Sequence, residues 1–161
     1  MDDNILEDEK VDRDSLTVGD FVKYFVDNDD VLQPSLICNL KPIIAKVTAV
    51  YAHGGIKGNI VELDYVSGNL GVEDLIEHHV SVYSDHIMPV RLTKQLLDAN
   101  GFDDHLISYF ESEQSDGFFV CIFEKRSGDI MCRKYIRYAH ELQHMFRVCG
   151  LSELAANLKV C

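Results

Sequence analysis

Between Leu16 and Val90 the apolar residues fall in short runs rich in β-branched and aromatic side chains, each cut off by glycine, asparagine, aspartate or proline, and this punctuation constrains the fold more than any other feature. Thr17-Val18-Gly19-Asp20-Phe21-Val22-Lys23-Tyr24-Phe25-Val26 begins a strand that Asp27-Asn28-Asp29-Asp30 breaks. Ile43 to Tyr51 is a second run of Val, Ile and Thr, and Ile60-Val61-Glu62-Leu63-Asp64-Tyr65-Val66 alternates apolar and acidic side chains as a half-buried strand does. His53 to Asn59 between them reads as a glycine-rich hairpin loop, which lacks the G-K-[ST] of a phosphate cradle. Val80 to Tyr83 and Ile87 to Val90 give one more strand or a broken pair, with Pro89 suited to an edge because it has no N–H to donate. Such runs predict a small twisted sheet or SH3-like barrel over residues 16–91.

The pattern then changes. Thr93 is placed to cap a short helix from Lys94 to Ala99, which Asn100-Gly101 stops in a left-handed turn. Phe118-Phe119-Val120-Cys121-Ile122-Phe123 is a strongly apolar strand, Ser127-Gly128-Asp129 turns it back, and Ile130-Met131-Cys132 completes a β-hairpin. An amphipathic helix is expected from about Lys134 to Val148, ended by Gly150, and Ser152 to Val160 reads as a capped short helix or a terminal strand. The whole is an α+β protein: residues 1–15 an acidic disordered tail, 16–91 a mostly β SH3-like region, and 92–161 an α+β lobe of helix, β-hairpin and amphipathic helix.

Charge narrows the function classes. The 161 residues carry a formal charge of −12, yet residues 117–161 hold seven basic side chains against four acids, so residues 1–116 carry −15. A chain acidic over most of its length repels phosphate, which disfavours direct nucleic-acid binding. Seven acids within residues 1–14 accompany too few aliphatics to offset the entropy of ordering, hence the tail. No apolar run approaches the length of a spanning helix, and Met1 is followed by Asp2 and Asp3 in place of a signal peptide, so no membrane association is expected and the cytoplasm is the default compartment. Cys38, Cys121, Cys132, Cys149 and Cys161 are scattered without a C-x-x-C pair and read as free thiols.

One stretch spells a chemical pattern: His140-Glu141-Leu142-Gln143-His144, the H-E-x-x-H arrangement in which two imidazoles one turn apart bind zinc and the carboxylate serves as general base. On a helix, Tyr135, Tyr138, Ala139, Leu142, Met145, Phe146 and Cys149 form the apolar stripe, while His140 and His144 lie about 160° either side of Leu142, with Arg137 and Arg147 on the same far side. The expectation is a solvated face with an Arg137–Glu141 pair. The extended pattern with a third histidine fails at Arg147 and Gly150, and His78, His79, His86, His105 or Glu153 would complete a site only by an arrangement the sequence does not specify. Other constellations are weaker: Asp27, Asp29 and Asp30 lack the glycine and distal Glu of a calcium loop, and no serine lies in a G-x-S-x-G elbow.

Pro89-Val90-Arg91-Leu92-Thr93, Asn100-Gly101-Phe102 and His140-Glu141-Leu142-Gln143, with Val18-Gly19-Asp20-Phe21-Val22 upstream, give the chain a family likeness. It resembles a group of short proteins common in Bacteroides-type gut bacteria and their phages or integrated elements, over most of residues 16–160. The resemblance implies no established activity, and the long acidic start departs from the shorter one typical of the group.

These readings converge on a non-enzymatic cytoplasmic accessory protein of a phage or mobile element that works without a cofactor. It would bind a protein partner, its acidic N-terminal part meeting a basic patch and the Arg137, His140, His144 and Arg147 face meeting an acidic one. The alternatives are a small zinc-dependent hydrolase with His140 and His144 as ligands and Glu141 as base, and an acidic mimic that occupies the nucleic-acid site of a host enzyme.

Overall fold

The computed structural model describes residues 16–24, 43–52, 59–67, 79–84 and 87–160. The acidic stretch 1–15, the aspartates of 27–30, the glycine-rich loop 53–58, the turn at 68–71, and Cys38, His78, His86 and Cys161 lie outside the described residues. The chain divides into two compact units, Met1–Val90 and Arg91–Cys161.

In the first unit, β1 (Phe21–Tyr24), β2 (Ile43–Tyr51), β3 (Ile60–Ser67), β4 (His79–Tyr83) and β5 (Ile87–Pro89) form one antiparallel sheet in the order β4-β3-β2-β1-β5. Alternation decides which side chains turn inward: Val61 and Leu63 of β3 are buried while Asp64 is exposed, and Ala45 and Val47 of β2 are buried. With Leu16, Val22, Val82 and Ile87 they make an apolar core. Two register shifts where β2 meets β3, at Ile44/Ala45 and Val47/Ala49, add local bend and twist, in keeping with a sheet that curls into a half-barrel. Pro89 sits on β5 at the end of the sheet, where its missing N–H costs no ladder bond.

The Val18-Gly19-Asp20 stretch is the entry turn of this sheet. Gly19 holds φ 92°, a left-handed conformation that favours glycine. The buried Asp20 carboxylate accepts from the Thr17 N–H at 2.8 Å and the Thr17 hydroxyl at 3.2 Å. Gly19 N donates to the Val47 carbonyl and Val47 N to that of Asp20, which ties the turn to β2.

The second unit opens with α1 (Lys94–Asn100), whose ends are as the residues dictate: the Thr93 hydroxyl accepts from Leu96 N, and Gly101 terminates the helix at φ 60°, ψ 45°. A three-stranded antiparallel sheet follows, β6 (Ile107–Glu111), β7 (Phe118–Phe123) and β8 (Ile130–Ile136), in the order β6-β7-β8, and then α2 (Ala139–Val148) and α3 (Ser152–Ala156). Three features differ from the sequence reading. β6 is an additional strand, so the expected hairpin is part of a meander. Residues 134–136 pair with β7 as the end of β8 instead of opening the helix, because Lys134, Tyr135 and Ile136 find partners in Val120, Phe119 and Phe118. The ambiguous last stretch starts as a helix.

Asn100, Phe102 and Leu92 act as fasteners in this unit. The Asn100 amide donates to the Leu96 and Lys159 carbonyls at 2.8 and 2.9 Å and accepts from Lys159 N at 2.8 Å, joining the end of α1 to a segment 59 residues away. Phe102 packs edge-on against Phe146 of α2, with ring centroids 5.6 Å apart. Leu92 N donates to the Arg137 carbonyl, and Leu92, Leu97, Leu142 and Phe146 are all buried. Burying each such side chain contributes on the order of 1.5–3 kcal/mol.

Candidate functional site

The H-E-x-x-H residues lie at the start and middle of α2, and each is held by the fold. Tyr138 is the N-cap, in extended conformation. Glu141 stands at the third helical position and reaches back, its Oε2 accepting the backbone N–H groups of Arg137 at 2.8 Å and Tyr138 at 3.1 Å. This is the carboxylate half of a capping box, which satisfies amides that the start of a helix leaves open. The expected Arg137–Glu141 pairing is therefore made through the Arg137 backbone, while the guanidinium lies over the Tyr138 ring, 5.4 Å from its centroid.

His140 departs from the expected solvated face. It is 6% exposed, its Nδ1 is sealed from solvent, and its ring stacks on Tyr138 at 5.9 Å and 9°. Gln143 is fully buried and donates its amide N–H to the Ala155 carbonyl of α3 at 2.9 Å. The buried arc of α2 thus includes Ala139, His140, Leu142, Gln143, Met145 and Phe146, wider than the apolar stripe in the sequence. The cause is α3, whose backbone gives Gln143 a polar partner on a side of the helix that would otherwise face water. Of the four residues read as one charged surface, Arg137 is exposed, His144 and Arg147 are half-buried and His140 is buried, so they do not form a continuous solvated patch.

The two imidazoles are neighbours, with ring centroids 5.8 Å apart at 76°. Among the described residues no group of three or more His, Cys, Asp or Glu side chains is placed to hold a metal ion. A catalytic zinc needs three protein ligands and a free base. Here the carboxylate is engaged with two backbone amides and one imidazole is packed under a tyrosine. The described residues around α2 do not fit that centre.

The structure brings together a different set of side chains. On one face of the second sheet, register aligns the buried Ile107, Val120, Ile122, Phe118 and Ile136 with Tyr109. Helix α1 lies against this face, since the Tyr109 hydroxyl donates to Asp98 Oδ1 at 2.8 Å. The Asp98 carboxylate is held below its ordinary range by the Lys94 ammonium and the Tyr109 hydroxyl, while burial and the Asp98 carboxylate push the Tyr109 phenol up to about 12.

The opposite face carries a row of rings. Phe110 of β6, Phe119 of β7 and Tyr135 of β8 are direct cross-strand partners. The Phe110 and Phe119 rings stack at 5.3 Å and 23°, and Phe119 and Tyr135 meet at 5.4 Å and 59°. Phe110 is 55% exposed, and Ile130, beside Phe123 farther along this face, is 56% exposed. Gly117, just before β7, makes room for the row: a Cβ there would stand 2.5 Å from the Tyr135 hydroxyl and 2.7 Å from the Ile136 carbonyl. The row is hidden in the sequence because Tyr135 also fits the apolar stripe of a helix and β6 carries no strong strand signal. The alternation Ile107, Tyr109 against Ser108, Phe110 is the signal that could have found it.

The chain matches no family model, no curated protein and no solved structure. Among the described residues, no helix is long and apolar enough to cross a membrane.

Proposed function

We propose that this chain is a non-enzymatic binding protein whose partner is another protein, held on the ring-bearing face of the second sheet. The observation that carries the reading is the row Phe110, Phe119 and Tyr135 with Phe110 more than half exposed. Contiguous exposed apolar surface marks interaction sites, and rigid aromatic side chains supply contact area at low entropic cost. Charge adds steering: Met1–Val90 holds six basic and seventeen acidic side chains, net −11, whereas Arg91–Cys161 holds nine and ten, net −1. An acidic first unit favours encounter with a basic partner while the neutral second unit leaves its aromatic face free to dock. The curled five-stranded sheet supports reading the first unit as an SH3-like module. On the family resemblance we place the protein among cytoplasmic accessory proteins of phages or mobile elements.

The test is retention of host proteins on the immobilised chain at low and high salt, with Phe110→Glu beside Lys125→Ala as a surface control. A protein held by the native chain and by Lys125→Ala, lost with Phe110→Glu and still held at high salt is the expected result. Retention indifferent to Phe110→Glu would overturn the assignment, and retention that also collapses with salt would transfer binding to the charged surfaces.

A further inference from the structure

Five cysteines without a recognisable spacing read as free thiols, but among the described residues the fold brings Cys132 and Cys149 side by side. Cys132 of β8 is the cross-strand partner of Ile122, whose side chain lies in the core, so Cys132 points to the helix-covered face of the second sheet. Cys149 is the C-cap of α2, its N–H bonded to the Met145 and Arg147 carbonyls. Helix α2 packs on β8, the Cys132 side chain adjoins the Cys149 thiol, and both residues are half-buried, which leaves them within reach of a small oxidant. Cys121 is different: it is opposite Arg133, on the other face of the same sheet, and buried.

We propose that Cys132 and Cys149 are a dithiol site that closes to an intramolecular disulfide on exposure to a low-molecular-weight disulfide such as oxidised glutathione, fastening strand β8 to the end of helix α2. The exchange balances without any other reactant. The Cys132 thiolate attacks one sulfur of the oxidant, the oxidant's S–S bond breaks, and one thiolate leaves. Cys149 then gives up its proton and attacks the Cys132 sulfur of the mixed disulfide, expelling the second thiolate. The protein loses two electrons and two protons, and the oxidised disulfide becomes two thiols. The order follows from the surroundings of Cys149, where burial and the adjoining Cys132 sulfur favour the neutral thiol and delay its ionisation, so Cys132 is the first nucleophile and Cys149 the resolving group. Contact between the thiols makes the second step intramolecular, and it outruns attack by a second oxidant molecule.

The experiment incubates the folded full chain in glutathione buffers of increasing oxidising strength, blocks remaining thiols, digests with trypsin and maps the cysteines by mass. Cys132 and Cys149 fall on separate tryptic peptides, Ser127–Arg133 and Val148–Lys159, so a bond between them gives a single linked species lacking two hydrogens. The expected result is that linked pair as the main product, with Cys121 still reduced, and a Cys149→Ser chain that stops at a glutathione adduct on Cys132. The proposal is overturned if the native chain accumulates separate adducts on Cys132 and Cys149, if both thiols stay reduced in the most oxidising buffer, or if the linked pair appears only after denaturant is added. The native-chain measurement stands alone should the serine variant fail to fold.

Discussion

The two units reach order by different means. Among the described residues, the first builds its core mainly from strands, with aliphatic side chains such as Val22, Val47, Val61 and Leu63 turned to the inside of a curled sheet, and its buried carboxylate, Asp20, belongs to the entry turn. The second covers one face of a three-stranded meander with helices and fixes those helices by polar side chains that bind backbone: Asn100 to Lys159, Gln143 to Ala155, Glu141 to the amides of Arg137 and Tyr138. Its other face is left with a row of rings. The lesson is that a chemically suggestive motif can be spent on architecture. The residues that spell H-E-L-Q hold a helix end and its neighbour, and residues with no motif at all make the ring row, with Phe110 exposed and Phe119 and Tyr135 half-buried.

The comparison can be broken most forcefully at the apolar centres. Phe146→Ala is expected to cost the second unit about 3–5 kcal/mol, and Leu63→Ala the first about 2–5 kcal/mol, measured by denaturant unfolding. A much smaller loss for Leu63→Ala would show that the half-barrel does not depend on its aliphatic core. Next is Gln143→Leu, which keeps the volume near that of glutamine but strips the buried Ala155 carbonyl of its donor, for a loss of about 1–3 kcal/mol. A stabilised variant would mean that packing outweighs the polar fastening there.

Glu141 sharpens the contrast between architecture and catalysis. Glu141→Ala is expected to cost about 1 kcal/mol, and Glu141→Gln distinctly less, because a glutamine amide oxygen also accepts from the cap. Equal losses for both would point to a role for the negative charge itself. The smallest effect is in the pH profile of the second unit. The Tyr109 phenol titrates at about 12 in the folded chain against an ordinary 10.0, so its contribution is complete below pH 10 and lost as pH rises from 10 toward 12. Asp98 acts in the opposite sense, its contribution present above the ordinary carboxylate range and lost in acid. Tyr109→Phe should flatten the alkaline limb of the unfolding midpoint, and an unchanged limb would remove the Tyr109–Asp98 contact from the account.

Much of this fold is legible in local chemistry. The ends of α1 follow from Thr93 and Gly101, and the limits of β2, β3 and β7 follow from alternation and turn residues, since both signals act within a few positions. What failed depended on distant partners. Lys134 to Ile136 fit a helical period, yet pairing with Phe118 to Val120 prevails. His140 and Gln143 fall on the polar side of a helical wheel, and only the Tyr138 ring and the α3 backbone turn that side inward. The candidate surface and the dithiol were unreadable for the same reason: each needs the register of β6, β7 and β8, which spacing along one segment does not carry.

The ring row also gives the molecule an optical property. The chain has seven tyrosines and no tryptophan, so its intrinsic emission is phenolic. Tyr109 donates its hydroxyl to a carboxylate, a ready proton acceptor for an excited phenol, whereas the Tyr135 ring rests against Phe119 in the row itself. A partner that brings a tryptophan onto that face would accept excitation from Tyr135, and its arrival would be read as indole light from a complex excited through tyrosine, with no dye attached to either protein.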